Sequence, residues 1–241
     1  MSVLTIAQNV ARSTGFTAPS TLVGSSDEVA VQLLQLIDDE TRGLAEDYDW
    51  QILITPEQFN FVDGQDDYDV PLDFERYIPK TIWNSTTRRP LIAPINAEDY
   101  QIQKNYLITS AIDNMVFFSQ DGLTITPTPT STDSINYLYI TTDIYADNLG
   151  VRKDEITADT DSPLISESLI QSAVKLAFLV SKGLIDPNEL EKSREYKDFN
   201  KRLEKAVLND GFGSKNPINM NSGGSAYWLA AYTQDSDFPA S

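Results

Sequence analysis

The chain reads as an α+β protein in which a β-rich segment is threaded between helical ends. Apolar residues recur at helical spacing before residue 50 and again after residue 160. Between about residues 57 and 141 they alternate at period two, and Asp-Gly and Pro signals punctuate both regimes. The expected architecture is an antiparallel helical bundle built from N- and C-terminal helices (1–50 and 157–212). A small inserted β-sandwich or barrel domain (51–156) and an extended C-terminal tail (213–241) complete it.

The first helix is expected over Val3–Thr14, because Val3, Ile6, Ala7 and Val10 share one face and Gly15 supplies a stop. A second begins at Ser25, where Ser25-Ser26-Asp27-Glu28 has the form of a capping box, and ends near Asp49-Trp50. Its stripe is Ala30, Leu33, Ile37, Leu44 and Tyr48.

Strands follow. Phe59 and Phe61 alternate with Asn60 and Val62, Asp63-Gly64 gives a turn, and Tyr68 and Val70 form the return strand before Pro71. Tyr77, Ile78, Ile82 and Trp83 make a third apolar stretch. Residues 114–119 and 123–126 flank the turn Gln120-Asp121-Gly122, and Ile135, Tyr137 and Tyr139 mark a further strand. Asn96-Ala97-Glu98-Asp99 offers a short helix through about Lys104.

Helices return after Asp159. Ser162-Pro163 reads as a cap with proline at the first helical position, and Leu169, Ile170, Ala173, Val174, Ala177 and Phe178 leave little polar face before Gly183. Asp186-Pro187-Asn188-Glu189 opens a last helix running to about Asn209. Tyr196, Phe199, Leu203 and Val207 line its buried side, and interleaved Lys, Arg, Asp and Glu cover the other. The last 31 residues hold four glycines and two prolines and will not build a core, yet Tyr227, Trp228, Leu229 and Tyr232 sit together there. Such a cluster prefers burial, so the tail is expected to dock on a partner.

Composition narrows the function. There is no cysteine and no histidine, which removes thiolate chemistry, disulfides, cysteine-bound zinc and the commonest general base. No signal peptide, membrane span, phosphate loop or nucleophile elbow is read, and no cofactor is expected. Asp38-Asp39-Glu40 and Asp66-Asp67 are adjacent acids that point apart. Asp159 and Asp161 have the Asp-x-Asp spacing of a calcium loop without its glycine or closing glutamate. The net charge is −18; residues 1–150 hold 22 acids against 7 bases. Clustered cations for gripping nucleic acid are lacking. Arg88-Arg89 is the one basic doublet of the β region, placed to guard a strand edge or to grip acids on a neighbour. A rival reading is a glycan-binding or glycan-cleaving module, with Tyr68, Tyr77, Trp83 and Tyr100 stacking on sugar and a carboxylate pair cutting it. Period-two aromatics are more often core than platform.

One motif series carries a resemblance. It runs Phe59-x-Phe61-Val62-x-Gly64-Gln65-x-x-Tyr68-x-Val70-Pro71-x-Asp73-Phe74-x-Arg76, then Thr81-x-Trp83, then Arg89-Pro90-Leu91. With Asp49-Trp50, Ile125-x-Pro127-x-Pro129 and Thr157-Ala158-Asp159-Thr160-Asp161-x-Pro163-Leu164, it resembles the head-to-tail adaptors of tailed bacteriophages, especially short-tailed ones. The resemblance spans about residues 2–212 and implies a non-enzymatic virion protein of the neck, assembled in the host cytoplasm. It further implies a ring, twelve copies, between the portal protein and the tail nozzle, with double-stranded DNA passing through the lumen unbound. Tyr227, Trp228, Leu229 and Tyr232 are then the candidate portal contacts. Arg88, Arg89, Lys197 and Lys201 are candidates for a subunit or tail-nozzle interface.

Overall fold

The structure, a computed structural model, describes residues 1–93, 95–105, 114–119 and 122–210. It is a mixed α+β fold with small antiparallel sheets.

Helix α1 spans Val3–Thr14, capped by the Ser2 hydroxyl, which accepts from the Thr5 amide. Gly15 ends it at φ 82°, a left-handed conformation that glycine adopts without steric cost. Helix α2 spans Glu28–Asp47. Its cap is Asp27, whose carboxylate accepts from the Val29 amide, and not the expected Ser25, whose hydroxyl accepts from the Asp27 amide instead. A carboxylate takes orphan amides and also complements the positive end of the helix dipole, so it prevails over a nearby hydroxyl.

After one 3₁₀ turn come β1 (Ile54–Asn60), β2 (Asp67–Tyr68), β3 (Phe74–Tyr77), β4 (Trp83–Asn84) and β5 (Arg89–Pro90), then α3 (Ala97–Asn105). Next are β6 (Met115–Phe118), β7 (Leu123–Thr126), β8 (Ser134–Thr141), β9 (Tyr145–Ala146), β10 (Arg152–Lys153) and β11 (Ser162–Pro163). The expected hairpin between Phe59-Val62 and Tyr68-Val70 does not form. β1 pairs along its length with β8, Phe59 opposite Ile135, whereas β2 pairs with β7 in another sheet. The turn is real, with Gly64 at φ 80° and the Gln65 amide on the Val62 carbonyl, but it carries the chain from one sheet to the next. A turn signal reports a reversal and says nothing about the partner strand. The β6–β7 hairpin forms in the expected place, with Val116 opposite Ile125.

The Ser162-Pro163 helix start is also corrected. Those residues are β11, laid against β9, and α4 begins later, over Glu167–Ser181. Proline fits the extended backbone here, and the chain stays in register until Ser166, whose carbonyl accepts the first helical amides. The last helix is broken in two: Asp186 caps a 3₁₀ segment, Pro187–Lys192, and α5 follows over Arg194–Asp210.

Two apolar clusters result. In the first, Val3, Ile6, Val10, Leu33, Ile37, Leu169, Ile170, Val174 and Phe178 pack together with Leu53, Ile140, Ile144 and Tyr145. α4 lies against α1, α2 and α5, while α2 and α5 share no extensive contact. The second joins Phe61, Tyr68, Ile82, Leu91, Val116, Leu123, Ile125, Ile135, Tyr137 and Tyr139. Strand β8 serves both, Ile135, Tyr137 and Tyr139 on one face entering the second cluster and Leu138 and Ile140 on the other meeting the first.

Candidate functional site

The motif residues converge on the joint between helix and sheet. α2 has no basic residue in its last turn and no left-handed cap, so its final carbonyls need an external donor. Arg76, from β3, supplies it. Its Nη2 donates to the carbonyls of Ala45 (3.2 Å) and Tyr48 (3.1 Å) and to Asp49 Oδ1 (2.8 Å), and its Nε donates to the same oxygen (3.1 Å). Next to it Trp50 is buried, its indole N–H on the Leu44 carbonyl at 2.7 Å. The sequence marked Asp49, Trp50 and Arg76 as part of a pattern but gave no sign that they meet, because 27 positions separate Arg76 from Asp49.

A second joint uses the Asp-x-Asp loop. Asp159 Oδ1 accepts from the amides of Leu22 (3.0 Å) and Val23 (2.8 Å), 137 and 136 residues away. Asp161 is fully buried, and its Oδ2 accepts from the amides of Thr157 and Ala158 and from the Lys153 ammonium. Burial by itself would raise the Asp161 carboxyl. The Lys153 ammonium and the two amides outweigh that and hold it below the ordinary aspartate value of 3.8. The Asp161 carbonyl also receives the Val3 amide at 2.7 Å, so this loop clasps the start of α1. Among the described residues no group of three or more Asp, Glu, His or Cys is arranged to hold a metal ion.

Of the other acids singled out from sequence, Asp38, Asp39 and Asp67 have side-chain partners in the fold, and the exposed Asp66 contributes its backbone. Asp38 pairs with Arg42 and accepts from the Tyr145 hydroxyl, Asp39 accepts from Gln35, and Asp67 accepts from Thr124. Asp66 gives its carbonyl to the Ile125 amide. Glu40 is raised above the usual glutamate value by burial and then by Asp39.

The aromatic platform does not assemble. Tyr68 is buried, its ring 4.9 Å from that of Phe59 and its hydroxyl bonded to Gln65 and Val62. Tyr77 stacks on Phe118 at 4.6 Å, and its hydroxyl accepts from Thr81 and Ile82. Tyr100 stacks on Phe117 at 4.8 Å. Trp83 is partly open on β4, which pairs with β8 as the β3 strand of Tyr77 does, whereas Tyr68 lies in another sheet. Two of the rings of the glycan reading, Tyr68 and Tyr77, are thus spent on the second cluster, and Tyr100 on Phe117.

Of the interface candidates, Arg88 sits at the turn between β4 and β5 with φ 59°, and Arg89 lies in β5, the outer strand of the five-stranded sheet. Lys197 and Lys201 are exposed on α5, a separate element that packs on the first cluster. The four do not form one patch. Tyr227, Trp228, Leu229 and Tyr232 lie outside the described residues.

No helix among the described residues is long and apolar enough to cross a membrane. No curated protein matches the chain. A protein-family model described as SU10 adaptor protein matches residues 1–220. The resemblance carried by the motif series is therefore borne out, and the chain belongs to the SU10 adaptor protein family, making it a structural adaptor of a bacteriophage.

Proposed function

We propose that this protein is a head-to-tail adaptor of a short-tailed phage, a ring of copies, twelve in number, seated in the virion neck between the portal protein and the tail nozzle. The observation that carries the reading is the family match over nearly the whole chain. The helices of 1–50 and 157–212 act as a bundle that joins copies side by side. The β-rich part, 51–156, acts as an inserted domain toward the tail nozzle, with Arg88 and Arg89 at its edge. The second apolar cluster, drawn wholly from residues 61–139, supports that division, while Leu53, Ile78, Ile140, Ile144 and Tyr145 tie the inserted part into the helical cluster. The ring assembles in the host cytoplasm.

Genomic DNA leaves through the lumen. Each copy brings a formal charge of −18, so a lined channel offers phosphate few cations to release counterions against, and the duplex slides without sticking. The tail, 213–241, binds the portal through Tyr227, Trp228, Leu229 and Tyr232. Nothing in the chemistry of the described acids asks for a substrate.

Electron microscopy of the protein mixed with its portal tests this. Free protein is expected as a monomer or weak oligomer, and the mixture as portals bearing an added ring of density; portals without that ring refute the proposal. Removing residues 213–241 is expected to leave melting unchanged and to abolish portal binding. Normal binding by the shortened chain removes the tail from the scheme.

A further inference from the structure

α5 is a helix whose charges are sorted by side. At 3.6 residues per turn, Arg194, Lys197, Lys201, Lys205 and Leu208 fall on the face opposite Phe199, Leu203, Ala206 and Val207, which pack on the first cluster. Its acids mostly point elsewhere. Glu195 pairs with Lys175 of α4, Asp198 with Arg202, and the Asp210 carboxylate accepts the Gln51 amide at 2.8 Å. Glu204 and the Arg202-paired Asp198 stand at the two rims of the outward face. Lys197, Lys201 and Lys205, one per turn, have no acid partner among the described residues, in a chain with twice as many acids as bases. Leu208 at their end is 80% exposed. A helix that merely stays soluble would interleave its signs on this face.

The complement lies on the other flank of α4. The outward line of α2, opposite Ala30, Leu33, Ile37 and Leu44, is Glu28, Gln35, Asp39 and Glu46, all exposed, with Val31 beside it, 51% exposed. Asp39 receives only the neutral Gln35 amide, and the nearby Arg42 is engaged by Asp38. The two helices run the same way past α4. Gln32 bonds Ser181 at the end of α4, while Glu195 meets Lys175 and Arg202 meets the Ser168 carbonyl. Gln51, just beyond α2, is level with Asp210 at the end of α5.

We propose that the lysine face of α5 in one copy docks on the acidic face of α2 in a second copy of this chain. Rotation about an axis along the helices preserves height and brings Lys197 beside Asp39 and Lys205 beside Glu46, with Lys201 between them, level with the Arg42 that Asp38 already holds. The two faces differ and sit on different flanks, so the contact is head-to-tail and repeats from copy to copy, as a closed ring requires. This deepens the ring reading and names the contact through which it closes.

The chain has no cysteine, so engineered pairs report cleanly. Lys197→Cys and Asp39→Cys chains are mixed in equal amounts at high concentration, without portal, and oxidised. Mixed disulfide dimers are expected to exceed either like-with-like dimer at least ten-fold, and the double variant is expected to give a ladder of oligomers. Added salt should suppress both. Lys197→Glu/Lys201→Glu/Lys205→Glu, in the Lys197 trap replaced by Lys201→Glu/Lys205→Glu, is expected to lose the product while melting as wild type. Asp39→Lys/Glu46→Lys chains should restore ring formation by the triple variant on portals. Mixed dimers at the statistical ratio overturn the inference. So do rings on portals that survive triple reversal, while leaving the ring reading intact. Directed cross-links without rings on portals overturn the ring reading and leave this contact standing. Triple reversal that abolishes portal capture without changing copy-to-copy cross-linking assigns the face to the portal and refutes the contact.

Discussion

Replacing Arg76 by alanine tests the joint that links the sheet to α2. The guanidinium makes four hydrogen bonds: two to a carboxylate and one each to the Ala45 and Tyr48 carbonyls. Hydrogen bonds with a charged partner contribute about 1.5–3 kcal/mol net apiece where water is excluded. Here the side chains of Arg76 and Asp49 are 22% and 24% exposed, so solvent screens the pair and refills part of what is lost. The contacts also share one donor nitrogen and are not additive. A total of about 2–3 kcal/mol follows, or roughly 5–10 °C in melting temperature for a chain of this size. Arg76→Lys should lose most of the same amount, because an ammonium cannot reach both carbonyls and the carboxylate from a single plane. Asp49→Asn should lose about 1 kcal/mol, since the carbonyl bonds remain. Circular dichroism during heating and urea titration reads these differences, and a double-mutant cycle gives the coupling of the two residues. An Arg76→Ala protein melting within about 1 °C of wild type would refute the reasoning, as would fully additive losses at 76 and 49.

Three further outcomes are expected. Asp161→Ala should cost about 2–4 kcal/mol, since it leaves Lys153 and two amides without their acceptor. The Asp161 carboxyl is held below its unfolded value, so its contribution is complete above about pH 4 and fades as pH falls through the lower folded value. Acid titration of stability should accordingly be shallower in the variant, and parallel curves would contradict the assignment. Gly122→Ala should destabilise by roughly 2–3 kcal/mol, because the new methyl would stand 2.5 Å from the Tyr68 carbonyl oxygen, and near-UV dichroism should report the disturbed tyrosine.

Sequence patterns reached the elements more surely than their partners. The helix over Val3–Thr14, the 123–126 strand and the alternation of Ile135, Tyr137 and Tyr139 depend on local periodicity, and all are found in place. The failures share one cause. Whether Phe59 faces Tyr68 or Ile135 across a ladder depends on contacts 76 residues apart, and a two-residue period looks the same in either case. Ser162-Pro163 satisfies a helix start and an extended bridge equally well, and its pairing with Tyr145-Ala146 decides. Of the four aromatics that could stack on sugar, Tyr68 and Tyr77 are core, while Trp83 stays partly open. The roles of Arg76 and Asp159 escaped notice because each acts on backbone groups distant in the chain, which leave no mark in composition.

Strand β8 has a mechanical consequence. Its pairing with β1 runs unbroken from Asn60–Ser134 to Ile54–Ile140, and its two faces are embedded in different hydrophobic clusters. A displacement of one cluster is therefore passed to the other through a single paired strand, whose neighbour β3 is tied by Arg76 to the end of α2. Such a joint is stiff, because strain reaches the helices directly and does not collect in a slack connector.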